Sequence, residues 1–126
     1  LAQIYFYKKD FLSVITQLQR VEYPDMVTNR RAKTIYLATL LELNEYDAIL
    51  SWSESFRVFL NRKKKDVPEA KINTYQNFIT IVRLIALAEL SGDKSYLKIE
   101  KELQKYSGNI VNEQWLKEKL LERKKK

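Results

Sequence analysis

The sequence predicts an all-α protein with about seven helical segments. Gly and Pro occur only twice each among 126 residues, which leaves few positions for the many turns of a sandwich or barrel. Hydrophobic residues make up 45% of the chain, and in most segments they recur three or four positions apart. That spacing is typical of the buried face of a helix, and no segment shows a convincing strand pattern.

Four helices are predicted in the first half of the chain, over residues 1–8, 11–23, 26–43 and 47–61. A short turn at Lys9-Asp10 separates the first two, and the second ends at Pro24, because the residue before a proline disfavours the α region. Asp25 then stands where its carboxylate can cap the third helix. Asn44-Glu45 is a connection short enough to join the third and fourth helices as an antiparallel pair.

Three helices are predicted in the second half, over residues 68–91, 94–106 and 110–123. Pro68 suits the first turn of the long one, and Gly92 suits the left-handed position that ends it. Ser107-Gly108-Asn109 breaks the chain before the last helix. The long helix carries two apolar stripes, which predicts burial between neighbours on both sides. The stripes are Ile72, Tyr75, Ile79, Val82 and Ala86, and Phe78, Ile81, Ile85 and Ala88.

Three of the predicted turns share a local pattern. The segments 9–15 (KDFLSVI) and 44–50 (NEYDAIL) lie 35 residues apart, and each has an acidic residue, an aromatic, a small residue two positions later and two aliphatics. The segment 91–97 (SGDKSYL) keeps the turn and the aromatic. An aromatic at this position fills the elbow of a helical hairpin, and a small residue lets the two helices approach closely.

These elbows resemble those of tetratricopeptide repeats, whose units are helical hairpins of about 34 residues. The resemblance implies a short right-handed solenoid with hairpins over about 1–23, 26–61 and 68–106, and 110–123 is similar to the solvating helix that ends such arrays. It also implies a concave surface made by the first helix of each hairpin. Polar residues expected on that surface are Tyr7, Asn29, Arg30, Lys33, Asn73, Asn77 and Thr80. The alternative is a non-repetitive helical bundle.

The net charge of +7 comes from the second half of the chain. Residues 1–60 hold seven basic and seven acidic residues, whereas residues 61–126 hold sixteen and nine. Two clusters carry much of the excess: Arg62, Lys63, Lys64 and Lys65, and Arg123, Lys124, Lys125 and Lys126 with Lys119 nearby. Such clusters attract nucleic acid, anionic membranes or acidic partners. The ordinary alternative is a solvated loop and a frayed basic tail.

The residue types present offer little catalytic chemistry. The chain has no Cys and no His, which excludes disulfides, thiolate nucleophiles, Cys/His zinc sites and His-based triads. Carboxylates at one elbow, those of Glu42, Glu45 and Asp47, offer oxygen ligands for a divalent ion, but such residues at helix ends are ordinarily caps. The sequence therefore predicts no catalytic residue, cofactor, metal or membrane span.

We therefore expect a non-enzymatic protein-interaction or scaffold module. Its partner would be a protein or peptide segment, or the remainder of a parent chain of which these residues form the C-terminal part, since the chain begins without Met inside an apolar pattern. The alternative is electrostatic binding to nucleic acid or another anionic surface through the basic second half. Nothing in the sequence predicts a compartment.

Overall fold

The computed structural model describes Asp10, Phe11, Ser13, residues 26–93 and residues 95–125. Five helices occupy this part of the chain: α1 (Met26–Glu42), α2 (Tyr46–Arg62), α3 (Glu69–Ser91), α4 (Tyr96–Lys105) and α5 (Glu113–Lys124). Since the described residues contain no strand, the prediction of an all-α fold is confirmed for them.

The two N-terminal helices of the prediction fall almost wholly outside the described residues. Phe11 and Ser13 are helical, and the Asp10 carboxylate accepts hydrogen bonds from the Ser13 backbone N–H (3.3 Å) and hydroxyl (2.8 Å). An aspartate that receives the N–H of the third following residue is a typical helix N-cap. The predicted total of about seven helices therefore stays a prediction. Five helices lie in the described residues.

The elbow between α1 and α2 is a Schellman motif in which asparagine takes the position usually held by glycine. Asn44 has a φ of 59°, in the left-handed region that a short polar side chain tolerates. Its N–H donates to the Leu41 carbonyl (3.1 Å), and the Glu45 N–H donates to the Leu40 carbonyl (2.9 Å). Gly92, with a φ of 77°, ends α3 in the same left-handed conformation, as its position in the sequence predicts.

The last helix begins at Glu113, so the prediction that it begins at 110 is wrong. Ile110 is buried in the core, and the Val111 N–H donates to the Thr74 carbonyl of α3 (3.3 Å). Asn112 has a φ of 55°, which interrupts the helical backbone immediately before Glu113. Ile110 and Val111, on which the prediction of a helix from 110 depends, therefore lie in a loop that packs against α3.

Helix α3 forms the centre of the described structure. It contacts α1, α2 and α4, and its Phe78 ring lies 6.4 Å from the ring of Trp115 on α5. The buried residues of α3 are Ile72, Tyr75, Phe78, Ile79, Ile81, Val82, Ile85 and Ala86. These are the two predicted stripes except for Ala88, which is half-buried. The prediction that this helix packs against neighbours on both sides is confirmed.

The end of α5 is held by Arg123, which reaches the elbow between α1 and α2. Its guanidinium donates to the Leu41 carbonyl (3.3 Å), Asn44 Oδ1 (3.2 Å) and the Tyr46 hydroxyl (2.9 Å). It also forms an ion pair with Glu89 of α3 (3.2 Å). Arg123 therefore belongs neither to a frayed tail nor to an exposed anion patch, because it satisfies polar groups inside the fold.

Two lysines of α5 are paired in the same way. Lys119 contacts Glu42 of α1 (2.5 Å) and Glu122 (3.2 Å), and Lys124 contacts Glu100 of α4 (3.0 Å). Glu42, one of the three elbow carboxylates, thus holds α5 in place. Among the described residues no group of three or more acidic side chains is arranged to hold a metal ion.

We expect Ile79→Ala to lower the free energy of unfolding by about 2–5 kcal/mol, because the fully buried side chain loses its packing and leaves a cavity. Leu87→Ala on the same helix is the matched control. The Leu87 side chain is 43% exposed, so its truncation should change stability by less than about 0.5 kcal/mol. Urea unfolding followed by circular dichroism measures both, and equal losses would contradict a central α3.

Alkaline pH should weaken the fold through Tyr96. Its hydroxyl donates a hydrogen bond to the Glu89 carboxylate, and burial together with this carboxylate raises the pKa of Tyr96 to about 12. Because the folded state favours the neutral phenol, this stabilisation is complete below pH 10 and is lost as the pH rises towards 12. Ultraviolet titration should show two late-ionising tyrosines among the described ones, because burial and the Glu102 carboxylate also raise the pKa of Tyr106. Tyr96→Phe should remove one late step and leave that of Tyr106, and an unchanged titration in Tyr96→Phe would refute the assignment.

Candidate functional site

Six cations gather at one end of the α1–α2 hairpin. The two helices run antiparallel, as the Tyr36 and Trp52 rings 4.7 Å apart and the Lys33–Phe59 contact show, so the start of α1 lies beside the end of α2. We define the basic end as Arg30, Lys33, Arg62, Lys63, Lys64 and Lys65. No ion pair among the described residues includes any of the six.

Two of these cations lie on aromatic rings. The Arg30 guanidinium carbon is 5.1 Å from the centre of the Tyr75 ring, and the Lys33 ammonium is 4.9 Å from that of Phe59. Phe56 connects the two rings, at 6.3 Å from Tyr75 and 6.5 Å from Phe59. Cation–π attraction acts over this range and consumes none of the N–H donors of either cation. The rings therefore position the two charges and leave their donors for an anion.

The Arg30 side chain is nearly enclosed. The residue is 4% exposed, and its Nε and Nη1 atoms are buried without a hydrogen-bond partner among the described residues. A guanidinium carries five N–H donors and cannot lose its proton, so burial without an acceptor is costly. Arg30 is consequently the cation of this site whose donors are least satisfied by the described residues.

Lys33 and Arg62 line one recess of about 650 Å³. The other described residues that line it are Ser51, Glu54, Ser55, Val58 and Phe59. Lys33 is half-buried, and this burial lowers the pKa of its ammonium, since no carboxylate among the described residues pairs with it. Lys33, a predicted partner-facing residue, and Arg62, a member of the predicted anion patch, thus line the same recess. Glu54 supplies a carboxylate there, and Ser51 and Ser55 supply hydroxyls.

The remaining three cations lie in the turn after α2. Lys63, Lys64 and Lys65 are exposed, and the turn is closed by the Asp66 N–H, which donates to the Lys63 carbonyl (3.0 Å). Val67 is buried and anchors the turn to the core. Long exposed lysines on an anchored turn attract anions from a distance and give little geometric selectivity.

Two of the polar candidates of α3 contact α2 and the loop before α5. Asn73 is exposed, and the Thr80 hydroxyl accepts a hydrogen bond from Arg57 of α2 (3.2 Å). The Asn77 amide donates to the Asn109 carbonyl, in the loop before α5 (2.9 Å). The α3 residue that meets Arg30 is Tyr75, which lies on the buried face. No described contact joins Arg30 or Lys33 to Asn73, Asn77 or Thr80, so a single partner-facing surface that includes these residues stays a prediction.

Of the other predicted partner-facing residues, Asn29 is half-buried on α1, four positions before Lys33, and Tyr7 lies outside the described residues. The sequence does not predict the aromatic part of the site. Phe56, Phe59 and Tyr75 fall at helical spacing within apolar stripes, which predicts core packing alone. Their contact with Arg30 and Lys33 joins positions far apart in the chain.

Comparison with protein-family models, with curated proteins and with solved structures found no match to this chain. Among the helices that the structure describes, none is both long and apolar enough to cross a membrane.

Lys33→Met should leave the protein at least as stable as the wild type, because methionine keeps the contact with Phe59 and removes a desolvated, unpaired charge. Lys119→Met is the matched control. It deprives Glu42 of its partner and should lower the free energy of unfolding by about 1–3 kcal/mol. Thermal unfolding at pH 7 compares the two. Equal destabilisation would mean that Lys33 has a partner and is not available to an anion.

Proposed function

We propose that the chain is a non-enzymatic protein-interaction module whose basic end binds an acidic segment of a partner protein. The observation that carries this proposal is the set of six cations without a carboxylate partner among the described residues, with Arg30 nearly enclosed. Lys119 and Arg123, by contrast, are paired inside the fold. Lysines without an ion pair to a described residue also occur on α4 and at the end of α5, but the basic end differs from them because Arg30 is nearly enclosed and Lys33 is half-buried, and this favours binding over a structural role.

Binding would proceed from attraction to close contact. The exposed lysines of the turn raise the local concentration of acidic segments and speed their encounter. A carboxylate that enters the recess then meets Lys33 and Arg62 beside the Phe59 ring, where partial exclusion of water strengthens each charge interaction. An acidic side chain that reaches Arg30 would satisfy its buried donors. Glu54, on the recess wall, disfavours a partner that places two carboxylates there.

The basic end belongs, in this proposal, to a short tetratricopeptide-like array in which α1–α2 and α3–α4 are consecutive hairpins and α5 is the closing helix. Two features support the arrangement. Both hairpins turn through a left-handed residue, Asn44 or Gly92, and α3 contacts both helices of the preceding hairpin. Stacked hairpins of this kind bury a continuous core and present extended surfaces to partners.

Nucleic acid is the second candidate ligand of the basic end. Three consecutive exposed lysines favour it, because phosphate contacts by such residues supply most non-specific affinity. Strong binding of single strands also needs rings that stack on bases. Phe56 and Tyr75 are buried and Phe59 is half-buried under Lys33, so the described rings of this site are not presented for stacking. The protein ligand is favoured for this reason.

Fluorescence anisotropy with a labelled glutamate-rich peptide and with a labelled 20-nucleotide single strand should separate the two candidates. We expect the peptide to bind with a salt-dependent affinity that falls about tenfold or more in Lys33→Met and in Arg62→Ala. A tenfold fall corresponds to a loss of about 1.4 kcal/mol of binding free energy. The single strand should bind weakly and be released near 150 mM salt, where charges are screened beyond about 8 Å.

The control for this experiment is Lys105→Ala, which removes an exposed lysine of α4 that pairs with Glu102 and should leave both affinities unchanged. Tighter binding of the single strand than of the peptide at 150 mM salt would make nucleic acid the ligand. A peptide affinity that is the same in the wild type, in Lys33→Met and in Arg62→Ala would refute the basic end as the binding site.

A further inference from the structure

A second surface, remote from the basic end in the chain, lies between α4 and α5. The two helices enclose an open groove of about 440 Å³. Leu103 and Leu120 form its buried floor, and Leu121 lies on its rim. Its polar lining consists of Glu100, Gln104, Ser107 and Lys117. We define the α4–α5 groove by these seven residues.

The rims of the groove carry the two most exposed large hydrophobic side chains in the described part of the chain. Leu97 is 59% exposed and Leu121 is 52% exposed. Leu97 precedes Glu100 and Gln104 by three and seven positions, so the helical repeat places it along the same side of α4 as those lining residues. Apolar area thus continues from the floor onto both rims.

The charges around the groove are predominantly positive. Glu100 is neutralised by Lys124 (3.0 Å) and Glu113 by Lys117 (3.1 Å). Among the described residues of α4 and of α5 with its C-cap, the charges without an ion pair are those of Lys98, Lys101, Lys125 and one carboxylate, Glu118. Lys101 follows Leu97, and Lys125 follows Leu121, by four positions, so each exposed leucine has an unpaired cation one helical turn away.

We propose that the α4–α5 groove binds an amphipathic helix of a partner protein whose apolar stripe is flanked by acidic residues. Both walls of the groove are helices, whose backbone N–H and C=O groups are already paired within each helix. An extended peptide would find no backbone partners there, whereas a helix satisfies its own and needs only side-chain contact. Aliphatic residues three, four and seven positions apart would cover the leucines, and acidic residues beside them would meet the rim lysines.

A second copy of the same chain suits the groove less well. An isologous contact would place the unpaired lysines of one rim against those of the other copy, on a protein whose net charge is already +7. The groove and the basic end also involve different residues, so each can be disabled without the other. Failure of one proposal therefore leaves the other standing.

The test uses a display library of 16-residue peptides selected on the immobilised chain, with counter-selection on the double variant Leu97→Gln/Leu121→Gln. We expect enrichment of acidic peptides with aliphatic residues at helical spacing, which gain helical circular dichroism when bound. Their affinity should fall at least tenfold in the double variant. It should be unchanged in Lys33→Met, which disables the basic end.

The matched control is Leu87→Gln/Leu90→Gln, since these leucines of α3 are 43% and 46% exposed but lie outside the groove. It should bind the selected peptides like the wild type, and thermal unfolding should show both double variants folded. Lys101→Glu/Lys125→Glu should shift the preference to peptides in which lysine replaces glutamate.

Three results would overturn the proposal. Library selection could enrich no peptide, or only peptides that bind the groove double variant equally well. The enriched peptides could be basic or lack helical spacing. Size-exclusion chromatography with light scattering could show a dimer that Leu97→Gln/Leu121→Gln dissociates, which would make a second copy the occupant.

Discussion

Burial of α3 is the constraint on which the rest of the structure depends. Eight of its side chains are buried, and they cover so much of its circumference that a single neighbouring helix could not enclose them. Helices α1 and α2 therefore pack on one part of α3, α4 on another, and Trp115 of α5 covers Phe78. Cations without an ion pair among the described residues collect at one end of the α1–α2 hairpin, and the two most exposed leucines of the described part lie on α4 and α5.

Apolar packing brings α5 to the core, and polar contacts then set its position along the core. The Arg123 guanidinium fits only where the Leu41 carbonyl, Asn44 and Glu89 converge, and the Asn44 backbone is left-handed to form that elbow. A displacement of α5 by one turn would take the guanidinium away from these acceptors and from Glu89. The elbow and the last helix are thus mutually dependent.

The paired and unpaired cations have opposite effects on the stability of the fold. Lys119 is held between Glu42 and Glu122, and it stabilises the fold. Lys33 is half-buried on Phe59 with a lowered pKa and no carboxylate partner among the described residues, so its charge is a cost to the folded state. Groups that cost stability in the free protein and gain energy from a ligand are typical of binding sites.

Local sequence determined the all-α class, four of the five described helices to within about two residues, the burial of α3 and the left-handed stop at Gly92. These features depend on spacing, proline and glycine within short segments. Only the tertiary structure decided that α5 begins at Glu113, that Arg123 is paired inside the fold while Lys63 to Lys65 form no ion pair with a described residue, and that Lys33 and Arg62 share a recess. Such contacts join residues distant in the chain and depend on how each helix is rotated about its axis. Periodicity identifies the apolar face of a helix but not which neighbour it meets. Basic residues that look equivalent in the sequence can therefore be paired in the fold or remain without an ion pair.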